Sequence, residues 1–346
     1  MREYKLPSST EFADLLELGR TATLGLPDVT RPRSPHESLP GGLIQLPRGK
    51  PLIIVPDLHA RPALVEALLG TVFPGFEMPL RDALARGRAT TLFLGDIPHA
   101  EGPDAARRWV NASRKLAAER NEHAILSPEM DEEMGLSIRA LGHVIRLQSE
   151  FHGSVFCLKG NHDNMTNASD HGDLPFYKYA DEGRMGALWL RLRYGPEIAR
   201  LVREYELSLP IAARGTDMCA SHAEPAFAVS ESMLLEYRND PEVVRALIWT
   251  ANGEAEEGAV GESLKLLLGS EEKAAHATWF SGHRPVAGPY SLRSAGQLAQ
   301  IHNPGAWHVA LLLPGDGVAR FCRLSPEEPY AKEIATLVLD PYARQK

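Results

Sequence analysis

Val155-Phe156-Cys157-Leu158-Lys159-Gly160-Asn161-His162-Asp163 decides the reading of this chain. Four apolar residues run into a glycine, and an amide, an imidazole and a carboxylate follow. A short apolar run that stops at such residues reads as a buried strand with chemistry at its end. The design recurs four more times. Leu52-Ile53-Ile54-Val55 precedes Asp57-Leu58-His59, and Thr91-Leu92-Phe93-Leu94 precedes Gly95-Asp96. Met218-Cys219-Ala220 precedes Ser221-His222, and Thr278-Trp279-Phe280 precedes Gly282-His283. Ligands of α/β proteins bind outside the carboxyl ends of strands. The five tips are therefore expected to deliver Asp57, His59, Asp96, Asn161, His222 and His283 to one place. A mixed oxygen and nitrogen set without thiolate suits two divalent ions of the Mn, Fe, Zn or Co kind.

Composition narrows the classes. The chain has 346 residues, 44% of them hydrophobic, and a formal net charge of -8. That is enough for a sizeable core in one large α/β domain or two small ones. No run approaches the roughly 18 apolar residues of a membrane span. Met1-Arg2-Glu3-Tyr4-Lys5 lacks the apolar stretch of a secretory leader. With no basic patch, nucleic acid is not an expected partner. Cys157, Cys219 and Cys322 show no paired spacing, so core thiols in a reducing cytoplasm are expected.

Strands and helices alternate from Pro51 onward, which argues for a layered α/β fold. Helices are expected at Arg61 to Leu69, at Asp104 to Glu122, and where Met134, Ile138, Leu141 and Ile145 share one face. Residues 1–45 read as an N-terminal extension hugging the surface, with one short helix from Glu11 to Leu18. Residues 46–330 read as the catalytic domain, and 331–346 as a tail. Helical insertions are expected at about 164–208 and 230–270. The first, carrying Phe176, Tyr177, Tyr179 and Trp189, is expected to cap the strand tips. Leu298 to Leu324 reads as three strands, and His302 ends the first of them.

The motif order D-x-H, G-D, G-N-H-[ED], H and G-H resembles the calcineurin-like metallophosphoesterases over roughly residues 50 to 325. It is nearest to the phosphoprotein-phosphatase branch, which includes Ser/Thr phosphatases and dinucleoside tetraphosphatases. Leu209-Pro210-Ile211-Ala212-Ala213 and Leu247-Ile248-Trp249-Thr250 look like further segments of that branch. The resemblance implies a four-layer α/β/β/α sandwich. It implies that Asp57 and His59 hold one metal, Asn161, His222 and His283 the other, and Asp96 bridges them. It implies hydrolysis of a phosphate ester by a metal-bridging hydroxide, with His162 protonating the leaving oxygen.

The departures from that pattern concern the substrate. The branch writes G-D-x-V-D-R-G where this chain has Gly95-Asp96-Ile97-Pro98-His99-Ala100-Glu101-Gly102. His99 thus stands where the acidic partner of His162 would be; Glu101 and Asp163 are the other candidates for that role. Both arginines expected to clamp phosphate are absent, and Arg61 and Arg284 are the nearest replacements, since guanidinium grips phosphate bidentately. Pro285 occupies the place of a second histidine that some superfamily members carry after G-H. A phosphomonoesterase resembling Ser/Thr phosphatases is the leading expectation. A dinucleoside-polyphosphate or phosphodiester hydrolase and a non-catalytic metal-binding scaffold are the alternatives.

Overall fold

The computed structural model describes residues 5–341 and 343. Residues 1–4, read above for a leader, and 342 and 344–346 of the expected tail lie outside the described residues. The strands are β1 (Leu43–Gln45), β2 (Leu52–Val55), β3 (Thr90–Phe93), β4 (Val155–Cys157), β5 (Ala212–Arg214) and β6 (Met218–Ser221), followed by β7 (Thr278–Ser281), β8 (Ser291–Arg293), β9 (Leu298–Gln300), β10 (His308–Leu312), β11 (Val318–Ser325) and β12 (Glu328–Val338). The helices are α1 (Ser9–Leu24), α2 (Pro62–Gly70), α3 (Leu80–Ala85), α4 (Pro103–Glu119), α5 (Pro128–Glu150) and α6 (Glu182–Tyr194), then α7 (Pro196–Ser208), α8 (Glu231–Leu235), α9 (Pro241–Ile248), α10 (Ala259–Leu268) and α11 (Glu271–Ala275). Every strand read from the sequence forms within a residue or two of its expected place.

Two six-stranded sheets result, ordered β12-β11-β10-β2-β3-β4 and β1-β5-β6-β7-β9-β8. In the first, β2, β3 and β4 are parallel. In the second, β6, β7 and β9 are parallel. Alternation along the strands builds three cores. Ile53, Val55, Val155 and Cys157 face a helical layer of α1, α2, α4, α5, α6 and α7. Leu52, Ile54 and Phe156 face Met218, Ala220 and Phe280 across the gap between the sheets. Cys219 and Trp279 face a second helical layer built from α8 to α11. The molecule is therefore a four-layer α/β/β/α sandwich. All three thiols are free and buried.

Three expectations need correction. The N-terminal segment does not hug the surface. Phe12, Leu15 and Leu16 of α1 are buried in the first core against α5 and α7, each burial contributing about 1.5–3 kcal/mol. A Cβ at Gly19 would lie 2.7 Å from Tyr205, so this glycine permits a close helix crossing instead of ending the helix at Leu18. Arg31, wholly buried, donates to the carbonyls of Gly41, Thr23 and Ser208 and to the Tyr237 hydroxyl. β1 then joins the second sheet beside β5.

The first insertion is not a cap. Leu188 and Trp189 of α6 and Val202 and Tyr205 of α7 are buried in the same core as α4 and α5, so these helices complete a layer. Only the loop before them reaches the strand tips. The tail is likewise structural up to Val338, because β12 pairs with β11 along its length.

Candidate metal centre

Asp57, Asp96 and Asn161 follow β2, β3 and β4; His222 and His283 follow β6 and β7. The parallel strands of both sheets thus point their carboxyl ends at one cleft. Close approach there depends on missing side chains. A Cβ at Gly282 would lie 1.8 Å from Asp57 Oδ1, and one at Gly160 would lie 2.2 Å from Asp96 Oδ1. His59, Asp96, His99 and His283 all hold positive φ, at 42°, 49°, 62° and 62°. Such backbone costs about 1–3 kcal/mol per residue and persists only where surroundings impose it. Here the surroundings are backbone bonds: the amides of Leu58 and His59 donate to the Asp96 carbonyl, and the His283 amide donates to the Asp57 carboxylate.

The six expected ligands come together, all but His283 nearly or wholly buried. Nδ1 of His59 donates to the His99 carbonyl at 2.9 Å, and Nδ1 of His222 to the Leu94 carbonyl at 3.0 Å. These bonds turn each Nε2 inward, an arrangement typical of metal-binding histidines. Asp96 Oδ2 lies 3.3 Å from His222 Nε2 and 3.6 Å from His59 Nε2, between the two. Asn161 Oδ1 is 2.9 Å from both His222 Nε2 and His283 Nδ1. Ligand atoms of Asp57, His59 and His302 lie within 4.8 Å of one another, as do those of Asp57, Asp96 and His222. The individual separations of Asp57 from His59 and His302, 3.8 and 3.7 Å, and of Asp96 from His59 and His222, 3.6 and 3.3 Å, fit donors around an ion with bonds of about 2.0–2.2 Å. Nδ1 of His302, within the first of these groups, is buried without a hydrogen-bond partner among the described residues, a cost of about 1–3 kcal/mol unless something is bound. The residues present fit divalent metal.

In the cleft, buried carboxylates and imidazoles shift one another. Burial pushes Asp96 up, but His222 and His162 outweigh it and hold its carboxyl well below the usual range. Burial lowers the basicity of His222, yet Asp96 and Asp57 raise it to about 9. Burial dominates at His59 and His283 and lowers both.

The residues expected to handle substrate fare differently. His162 sits beside the cluster, its ring 4.4 Å from the Phe176 ring, centroid to centroid. Burial lowers it to about 3. His99 does not orient it: the two rings are 5.6 Å apart, neither ring nitrogen of His99 has a hydrogen-bond partner among the described residues, and burial lowers His99 to about 4. Asp163 is not an acid–base partner either. Its carboxylate accepts from the amides of Asp96, Ile97 and Gly160, which clamps two motif loops together. Burial and Asp96 raise it to about 7. Arg61 is spent on the carbonyls of Leu58, Asp57 and Ala306, so it ties down its own loop and does not face substrate. Arg284 remains available: its Nε is buried with no partner among the described residues.

Three residues were missed or underweighted. His302, after β9, is fully buried with Nδ1 3.7 Å from Asp57 Oδ2. Glu101 reaches His302 Nε2 at 3.0 Å and His59 Nε2 at 3.4 Å. Burial raises the Glu101 carboxyl, but His59, His302 and Lys178 bring it far below the usual range. Lys178, from the loop ahead of α6, pairs with Glu101. The signal for His302 was its place two residues beyond a short strand.

No protein-family model matches the chain, and no curated protein matches it. Among solved structures it is similar to a Ser/Thr phosphatase from Saccharomyces cerevisiae related to human phosphatase PP5, with 15% identity and a TM-score of 0.47, over 90% of this chain and 84% of that one. It is also similar to a cold-active protein tyrosine phosphatase, with 11% identity and a TM-score of 0.45, over 86% and 82%. A structure of the cold-active enzyme from a psychrophilic Shewanella species gives 11% identity and a TM-score of 0.39, over 84% and 82%.

Proposed function

We propose that this chain is a phosphoric ester hydrolase working with two divalent ions, and that its substrate is a phosphomonoester. The observation that carries the proposal is the convergence of His59, Asn161, His222 and His283 from both sheets on the buried carboxylates Asp57 and Asp96. Asp57 and His59 would hold one ion, Asn161, His222 and His283 the other, and Asp96, lying between them, both. When bound, the ions supply Lewis-acid activation of water and neutralise charge on the phosphoryl oxygens.

The protein's own groups do the rest. Arg284, next to His283 and with Nε unpartnered, grips a phosphoryl oxygen. His162 presents its ring at the edge of the cluster and donates an N–H to the leaving oxygen. Phe176 fixes that ring from above and keeps water from its buried edge. The binding groups are thus a single arginine and the metals, in a site that also contains the Glu101 carboxylate. That carboxylate favours a second reading, a phosphodiester or phosphoanhydride substrate, whose reacting phosphorus carries less charge than a monoester dianion. The three buried thiols support a cytoplasmic setting. No described helix is long and apolar enough to cross a membrane.

Hydrolysis of an aryl phosphate, its bis-aryl diester, a dinucleoside tetraphosphate and a phosphopeptide, each with Mn, tests the proposal, with Asp96→Asn as control. Monoester turnover lost in the variant is the expected result. Diester or anhydride turnover selects the second reading. Turnover that survives the substitution, or none on any substrate, overturns both.

A further inference from the structure

We infer that His302 is a ligand of the ion held by Asp57 and His59, and that Glu101 is the carboxylate that sets its ring. The inference rests on the two-ion reading and extends it. The parallel strands β2, β3, β4, β6 and β7 each end at a ligand, and β9, the sixth parallel strand, ends at His302. Its side chain is wholly buried. Nδ1 lies 3.7 Å from Asp57 Oδ2, within the compact group that includes His59, and has no hydrogen-bond partner among the described residues.

The opposite ring nitrogen is what distinguishes a ligand from a buried structural histidine. Nε2 donates to Glu101 Oε2 at 3.0 Å, so the Nδ1 lone pair is left facing Asp57. A carboxylate on one nitrogen and a metal on the other is the usual environment of a ligating imidazole. Other buried histidines here, His99 among them, also leave a nitrogen unpartnered among the described residues; what sets His302 apart is that its unpartnered nitrogen lies in the compact group with Asp57 and His59 while a carboxylate holds the other. Glu101 is itself held, since its other oxygen pairs with Lys178 and lies near His59. The His302 amide-plane carbonyl accepts from the Val286 amide, which fixes the backbone just beyond Pro285.

His302 therefore supplies from β9 an imidazole that the Gly282-His283-Arg284-Pro285 segment lacks. The first ion then has two imidazoles and the carboxylates of Asp57 and Asp96 for protein ligands. Such a set shifts preference away from all-oxygen ions such as Mg toward Co, Zn or Fe.

Titration of the metal-free full chain with Co(II), followed by calorimetry and by visible absorption, tests this. The wild type is expected to bind two ions. His302→Gln should weaken one of them by about 100-fold or more and change its absorption band. Glu101→Gln should weaken the same ion by about 10–100-fold, and it decides the matter should His302→Gln fail to fold, as monitored by circular dichroism. Two ions bound by both variants with wild-type affinity and spectrum would overturn the inference while leaving the two-ion reading intact. Fewer than two ions on the wild type would remove both.

Discussion

The cleft has two unlike regions. Around Asp57, His59, Asp96 and His222, nearly every donor is fixed by a second bond to backbone or carboxylate. Beside this cluster stand Arg284, whose Nε has no partner among the described residues, the imidazole of His162 and the Glu101 carboxylate paired with Lys178. The first region is preorganised and costly, with four left-handed residues and glycines that admit no Cβ. The second carries no comparable framework. On the proposed two-ion reading, strain is spent on holding cations, and recognition of the substrate is left to few groups. Such a site would bind metal regardless of substrate and depend on metal for most of its phosphate affinity.

The largest effect should fall on the rigid region. Asp96→Asn removes the carboxylate lying between both groups of donors and should lower kcat/KM by about 100-fold or more. A variant that keeps wild-type turnover would break the comparison at its root.

The arginines sharpen it. Arg284→Ala should raise KM by about 10–100-fold, the usual worth of a hydrogen bond to a charged group. Arg61→Ala should leave KM nearly unchanged and cost about 1–3 kcal/mol of stability through its lost carbonyl contacts. Steady-state kinetics and thermal melts on both variants separate the roles; the reverse pattern would exchange them.

The smallest effect on turnover concerns the support behind the substrate region, where the change falls on stability. Glu206 accepts from the Met165 amide at 2.6 Å, holding the loop that follows Asp163. Burial raises its carboxyl from 4.5 to about 7, although Lys159 and Arg203 oppose the shift. Folded protein thus holds this proton more tightly than unfolded chain, so stability is full below about pH 4.5 and declines as pH rises through 7. Glu206→Gln mimics the protonated form. It should match the wild type at pH 4.5 and exceed it by about 3 kcal/mol above pH 7, measured by urea unfolding at both values. A stability difference independent of pH would contradict this account.

The two regions also differ in how far the sequence reveals them. The ligands were legible because each follows a strand-like run, and a strand end fixes where a residue goes. His302 obeys the same rule but ends a run interrupted by Gln300, which weakened the pattern. The substrate groups were not legible, because the direction of a long side chain depends on partners far along the chain. Arg61 and Arg284 both stand near a ligand, and only the carbonyls around Arg61, that of Ala306 among them, separate their roles. Asp163 follows His162 as an acidic partner might, yet amides from the Asp96 loop capture it. The layers were legible from periodicity. The place of α1 was not, since the contact of Gly19 with Tyr205 joins positions far apart in the chain.

Crystals grown with Mn and measured at an anomalous wavelength would test the central claim most directly. The account predicts two peaks about 3.5–4 Å apart with Asp96 between them, one beside His59 and His302 and the other beside His222 and His283. A single peak, or none in the cleft, would contradict it.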